Sequence, residues 1–207
     1  MKIKIIRKED ISISKWSGGL TKEILIFPEN AQYGNRNFEF RISSATVELE
    51  ESTFTKLEDY NRILMVLDGK LKIVHNGNHS IELNKYEKDR FMGSWDTKSY
   101  GKVIDFNLMF LPQYRGEMER VTLESESKEI FSKKNYLGDY CLIYVQSGSV
   151  EVNICYEKIV LKEGEAIFLE KTKDSEIEVV NCEDNNCNII VTSVFLKKWF
   201  CDKIINV

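Results

Sequence analysis

Hydrophobic and polar positions alternate with a period of two along much of this chain, and residues 38–69 are the most informative case. Phe38, Phe40 and Ile42 share one parity, and Glu39, Arg41 and Ser43 share the other. Side chains alternate across a strand, so each set points one way. Past Ser44 the pattern flips. Ala45, Val47 and Leu49 continue the Arg41 face, whereas Thr46, Glu48 and Glu50 continue the phenylalanine face. A face that passes from polar to apolar along one strand suits the wall of a barrel with a wet mouth and a dry floor. A β-bulge, or a strand that swaps the side meeting solvent, gives the same pattern.

The remaining elements follow from similar runs. Residues 3–7 predict a first strand, and 24–27 a strand ended by Pro28. Residues 29–37 predict a loop. Gly18 and Gly19 follow Trp16 directly, which implies a tight backbone path. Asn76-Gly77, flanked by Leu71, Ile73, Ile81 and Leu83, predicts a hairpin with a type I′ turn. Residues 103–111 predict a strand with Ile104, Phe106, Leu108 and Phe110 on one face and Asp105, Asn107 and Met109 on the other. Residues 113–132 are charged and weakly patterned and predict a connection, in part helical. A second strand set begins at Tyr140. Within these sets one module occurs twice: ILMVLDGKLKI at 63–73 matches LIYVQSGSVEV at 142–152, and LNKYE at 83–87 matches LKEGE at 161–165. With two prolines and no helical period, the pattern predicts an all-β chain of two jelly-roll modules.

Composition narrows the function. The chain has 207 residues, 43% of them hydrophobic and 30% charged, so it can bury a core. A net charge of −4 without a clustered basic footprint argues against a nucleic-acid partner. The first ten residues are too charged for a signal peptide, and no apolar run approaches the ~20 residues of a membrane span. A soluble, cytoplasmic protein is expected. The five cysteines, Cys141, Cys155, Cys182, Cys187 and Cys201, are odd in number and fit free thiols better than a disulfide framework.

Candidate chemistry is sparse. His75 and His79 flank Asn76-Gly77 and read as exposed turn residues. Gly77 stands where a His-x-His metal pair would need its second histidine, so neither a metal nor another cofactor is expected. Serine and cysteine nucleophiles lack a histidine partner. The arginines remain: Arg7, Arg36, Arg41, Arg62, Arg90, Arg115 and Arg120, none of them in the second module. An arginine inside a barrel must be paired, since a lone buried charge is costly. Its partner is either a structural carboxylate, Glu23 or Asp105, or the carboxylate of a ligand. Trp16, Phe54 and Trp95 read as rim or core aromatics, or as stacking surfaces.

Several segments together resemble the HutD/Ves family of bicupins, associated with bacterial histidine utilisation. They are WSGGLTKE at 16–23, RISSATVE at 41–48, Phe54-Thr55, Asn61-Arg62 ahead of Leu67-Asp68-Gly69, and DFNLM at 105–109. Two departures stand out: the glycine run after Trp16 is shorter than the usual Asn-Gly-Gly-Gly, and Ser94 replaces a frequent acidic residue. The resemblance implies two cupin barrels, the second degenerate, divided as 1–112, a connection at 113–135, and 136–207. It also implies a metal-free pocket at Thr21, Arg41, Ser43, Arg62, Asp105 and Asn107. The function it implies is a regulatory sensor of a small carboxylate such as formylglutamate, in histidine catabolism. A metal-free enzyme using Asp105 or Glu23 as base, and a scaffold protein, are the alternatives. The expected partner is a small anionic metabolite, without nucleic acid or membrane; a homodimer stays open.

Overall fold

The computed structural model describes residues 1–172 and 176–197. Among them the strands are β1 (Lys2–Ile6), β2 (Ser12–Trp16), β3 (Gly19–Phe27), β4 (Phe40–Val47), β5 (Glu51–Thr53), β6 (Asn61–Gly69), β7 (Leu71–His75), β8 (Ser80–Leu83), β9 (Lys88–Met92), β10 (Thr97–Tyr100) and β11 (Val103–Phe110). They continue with β12 (Tyr114–Leu123), β13 (Lys128–Phe131), β14 (Tyr140–Ser147), β15 (Ser149–Ile154), β16 (Glu157–Lys162), β17 (Ala166–Glu170), β18 (Ile177–Asn181) and β19 (Cys187–Leu196). The chain is all-β as expected, the helical content among the described residues being two single 3-10 turns, Lys8–Asp10 and Tyr33–Asn35. No helix among the described residues is long and apolar enough to cross a membrane.

The strands form two units. One is Ile11–Gln113; the other joins Met1–Asp10 to the chain from Tyr114 onward. This differs from a division at 112 with a connection over 113–135. The first strand runs antiparallel to β17, from Lys2 opposite Glu170 to Ile6 opposite Ala166, and so extends the second unit's sheet. The expected connection is β12 and β13, and β12 is laddered to β19 along its whole length. Its pattern is weak because the buried face changes: Tyr114, Gly116 and Met118 are buried on one parity, then Val121 and Leu123 on the other.

In the Ile11–Gln113 unit, a six-stranded antiparallel sheet runs in the order β2-β3-β4-β11-β6-β9, beside a four-stranded sheet β5-β10-β7-β8. Leu64 and Val66 from the first sheet pack with Leu71, Ile73 and Leu83 from the second, so the inner faces share one apolar core. The other unit repeats the plan with sheets β1-β17-β14-β19-β12 and β13-β18-β15-β16. The step from β6 in one sheet to β7 in the other recurs as β14 to β15, and both turn through a glycine at φ +87°, Gly69 and Gly148. Gly164 (φ +82°) recurs at the position of Tyr86 (φ +69°). The internal repeat is thus a repeat of backbone path as well as of sequence.

The β7-β8 hairpin forms, but its turn is longer than type I′. His75 N–H donates to the His79 carbonyl at 2.8 Å, leaving Asn76, Gly77 and Asn78 as the loop. Gly77 has φ +77° and Asn76 is not left-handed, whereas type I′ needs positive φ at both central residues. The longer loop sets His75 and His79 opposite each other; His79 is exposed as expected, whereas the reading of His75 as exposed is corrected. His75 is 2% exposed.

Candidate functional site

The wet-to-dry face expected on β4 is present, and two neighbours repeat it. Arg41, Ser43, Ala45 and Val47 line one cavity. In β6, Arg62 lies above Leu64 and Val66; in β11, Asn107 and Asp105 lie above Val103. The ladder between β4 and β11 is unbroken from Phe40 to Val47, which excludes a bulge as the cause of the flip. The cavity measures about 310 Å³. Its wall holds all six expected residues, Thr21, Arg41, Ser43, Arg62, Asp105 and Asn107.

The two arginines differ in what holds them. Arg41 Nε donates to Glu23 Oε2 at 2.6 Å, and its Nη1 donates to Ser43 Oγ at 3.0 Å. Its guanidinium also lies over the Tyr33 ring, 4.5 Å from the centroid. The structural bridge anticipated for one arginine is therefore made by Glu23 to Arg41. Arg62 is equally buried, at 5% exposed, yet among the described residues it makes no hydrogen bond and no ion pair within 4 Å. Its Nε is buried without a partner. What it has are ring faces, Phe54 at 4.7 Å and Phe91 at 5.2 Å. Burial lowers its pKa to about 10, and Arg41 adds repulsion, against the fields of Tyr33 and Asp105.

Asp105 does not close an ion pair with Arg62 either. Burial raises its carboxyl pKa to about 7, opposed by the Arg62 charge and by a hydrogen bond from the Ala45 N–H. The same wall holds two further buried polar atoms without partners, Asn107 Oδ1 and Ser52 Oγ. The donor set does not fit a metal ion. Two guanidinium groups face the space, no imidazole does, and a cation there would be repelled.

A family model described as HutD matches residues 8–186. The chain belongs to the HutD family. No curated protein matches it. Solved structures are similar in fold. A conserved protein of unknown function from Pseudomonas aeruginosa PAO1 aligns at TM-score 0.80 and 20% identity, over 94% of this chain and 100% of that one. HutD from Pseudomonas fluorescens SBW25, solved in a formate condition, aligns at TM-score 0.67 and 21% identity, over 93% and 99%. A bacterial pirin from Escherichia coli in complex with nickel(II) aligns at TM-score 0.68 and 11% identity, over 95% and 100%. The fold is cupin-like.

The second unit of this HutD-family chain carries different residues at the positions that match the cavity wall. Register equates Leu64, which faces Asn107, with Ile143, which faces Val191; it equates Val66, facing Asp105, with Val145, facing Ile189. The same offset carries Arg62 onto Cys141. Cys141, Ile189 and Val191 all belong to that unit's continuous apolar core. Three polar groups of the first unit are thus hydrocarbon or thiol in the second. Cys141, Cys155, Cys182 and Cys187 are free thiols, and Cys201 lies outside the described residues.

Sequence reasoning missed Tyr33, Ser52 and Ser99 on the cavity wall. Tyr33 sits in a segment that reads as loop, and isolated serines on strands carry no signal. Phe54 and Trp16 line the cavity, whereas Trp95 stands edge-on to His75 and His79, away from it. The glycine pair explains the rim. A Cβ on Gly18 would lie 2.1 Å from Trp16 Cζ3, so the indole lies across that glycine. A Cβ on Gly19, at φ +145°, would lie 1.9 Å from the Thr46 carbonyl oxygen. Gly19→Ala should therefore cost ~2 kcal/mol or more in a denaturant melt, since backbone must move. Gly18→Ala should cost less and shift Trp16 fluorescence, because a half-exposed ring can swing aside.

Proposed function

We propose that this HutD-family chain is a bicupin whose first module binds a small carboxylate metabolite in a metal-independent pocket and whose second module is degenerate. The observation that carries this reading is Arg62, a guanidinium buried in the cavity with no hydrogen-bond partner, beside an arginine that Glu23 has already neutralised. A lone buried charge is costly, and a ligand carboxylate would accept from it bidentately. Arg41 then serves as the positioned wall behind Ser43, with Nη2 as its remaining donor. The cavity is at the small end of ligand pockets, which suits a metabolite over a peptide.

The orphaned Asn107 adds specificity. Whichever way its amide is turned, one buried end lacks a partner, and a ligand amide could meet it. A formylated amino acid of the formylglutamate class offers carboxylates for Arg62 and an N–H and carbonyl for Asn107. On this reading the protein is a regulatory sensor in amino-acid catabolism, of the histidine pathway. Calorimetry with N-formylglutamate, glutamate and succinate tests it. Binding of at least one of these acids, lost in Arg62→Ala, supports the reading. No binding by any of them, or binding unchanged in Arg62→Ala, removes it.

A second reading rests on Asp105. A carboxyl titrating near neutrality inside a cavity is suited to general-base work, so a metal-free enzyme acting on the same acid is the alternative. Turnover abolished in Asp105→Asn with binding intact would favour it over the sensor.

A further inference from the structure

A second cluster of chemistry-bearing side chains lies in the Ile11–Gln113 unit, against Phe91 and outside the cavity lining. His75, at the end of β7, puts Nε2 2.8 Å from Asp89 Oδ2 of β9. His79, across the turn, puts its own Nε2 3.3 Å from both oxygens of the same carboxylate. The three donor atoms all lie within 4.8 Å of one another. The Phe91 ring stands 4.6 Å from the His75 ring, and Arg62 lies on that same ring, so the cluster is separate from the carboxylate site.

A hydrogen-bonded His–Asp pair alone would satisfy the buried Asp89. It does not explain a second imidazole turned onto the same carboxylate from a solvent-exposed turn position, His79 being 41% exposed at its side chain. We propose that His75, His79 and Asp89 form a binding site for a divalent transition cation of the zinc type. The two Nε2 atoms and one Asp89 oxygen are three ligands, and the exposed side leaves a fourth position to water.

The distances to Asp89 suit this. Bonds of about 2.0–2.2 Å at tetrahedral angles place neighbouring ligand atoms roughly 3.3–3.6 Å apart. The His79–Asp89 separation lies at the short end of that range, His75–Asp89 must open by about half an ångström, and the His75–His79 pair, within 4.8 Å, must draw together. The set of two imidazoles and one carboxylate favours zinc, nickel, cobalt or iron over magnesium or calcium.

The supporting residues provide for the needed tautomer. A bound cation takes the lone pair of His75 Nε2, which moves the ring proton to Nδ1. Nδ1 lies 2.7 Å from Thr97 Oγ1. That hydroxyl can then accept, because its own proton has a second outlet in the Trp95 carbonyl at 3.4 Å. A ring nitrogen held by an oxygen is the usual second support of a metal-bound histidine. The cation would clip the β7–β8 turn to β9, the strand that also carries the Phe91 face under Arg62.

The test is cobalt(II) titration of the full chain with Cys155→Ser and Cys182→Ser as background, since those two exposed thiols could bind cobalt independently. The expected result is one equivalent bound with visible d–d bands of a low-coordinate site, no thiolate charge-transfer band, displacement by zinc, and a higher thermal midpoint. His79→Ala, a change at an exposed turn, should remove the bands and the thermal shift while leaving the metal-free melt nearly unchanged. Asp89→Asn should do the same to the bands. Absence of binding, or bands that survive His79→Ala, would overturn the assignment whether or not Asp89→Asn folds. Carboxylate binding at Arg62 is measured separately and has no bearing on this outcome.

Discussion

Replacing Arg62 by methionine should make the protein more resistant to unfolding and unable to hold its carboxylate ligand. The guanidinium is buried without a hydrogen bond, and its pKa falls to about 10 from 12.5. For a base, a folded-state pKa below the unfolded one means that folding penalises the charged form, at every pH below about 10. A shift of that size corresponds to about 3 kcal/mol. The ring faces of Phe54 and Phe91 return part of this, ~1–2 kcal/mol for desolvated cation–π contacts. Methionine fills a similar volume, keeps favourable sulfur contacts with both rings and carries no charge. A net gain of roughly 1–2 kcal/mol is expected in a denaturant titration at neutral pH. Against that gain, each charge-assisted hydrogen bond to a ligand is worth about 1.5–3 kcal/mol, so losing two should weaken binding at least ~100-fold. Arg41→Met should behave oppositely in stability, because it strands the Glu23 carboxylate. If Arg62→Met instead lowers stability and leaves affinity intact, Arg62 is a structural group and the cavity reading fails.

Period-two patterning carried most of the fold. The Phe38-to-Val47 alternation located the cavity wall because β4 runs unbroken beside β11, so parity translates directly into facing. The same physics hid β12. Its buried face switches parity after Met118, and with Glu119 and Arg120 exposed between the two halves no single period survives. The β4 flip was readable because a phenylalanine run marked one half and Ala45 and Val47 the other. Arg41 and Arg62 look alike in sequence, and which one is neutralised depends on Glu23, brought to Arg41 by a strand that bulges between Glu23 and Leu25. His75 was misread because the loop is one residue longer than Asn-Gly suggests, which turns an apparent turn residue into the last inward position of β7. The HutD resemblance named six cavity positions; the charge state among them needed three dimensions.

Asp105→Asn should flatten the pH dependence of ligand binding that the natural protein displays. Burial holds the Asp105 carboxyl near 7, with Arg62 and the Ala45 N–H pulling down against it. Above that value the carboxylate competes with an incoming anion for Arg62 and repels it. Below it the protonated acid can donate to the ligand, as a neutral carboxylic acid does when an apolar site keeps its proton. Binding therefore takes up one proton above neutrality, and affinity should fall by about tenfold per pH unit above pH ~7 and level off below. Asparagine has no proton to lose, so its affinity should match the low-pH limit throughout. Stability gives an independent check on the same group. Its folded pKa lies above the unfolded value of 3.8, so the ionised form is penalised in the fold; the penalty is absent at acid pH and grows as pH rises from about 4 to about 7. Asp105→Asn should thus gain ~1–3 kcal/mol at alkaline pH and nothing at pH ~4. A general base would give the reverse functional signature, a rate that climbs through neutrality and vanishes in the asparagine variant. Should the slope in affinity persist after the substitution, the proton resides elsewhere, and Asp105 is a spectator of the cavity's charge.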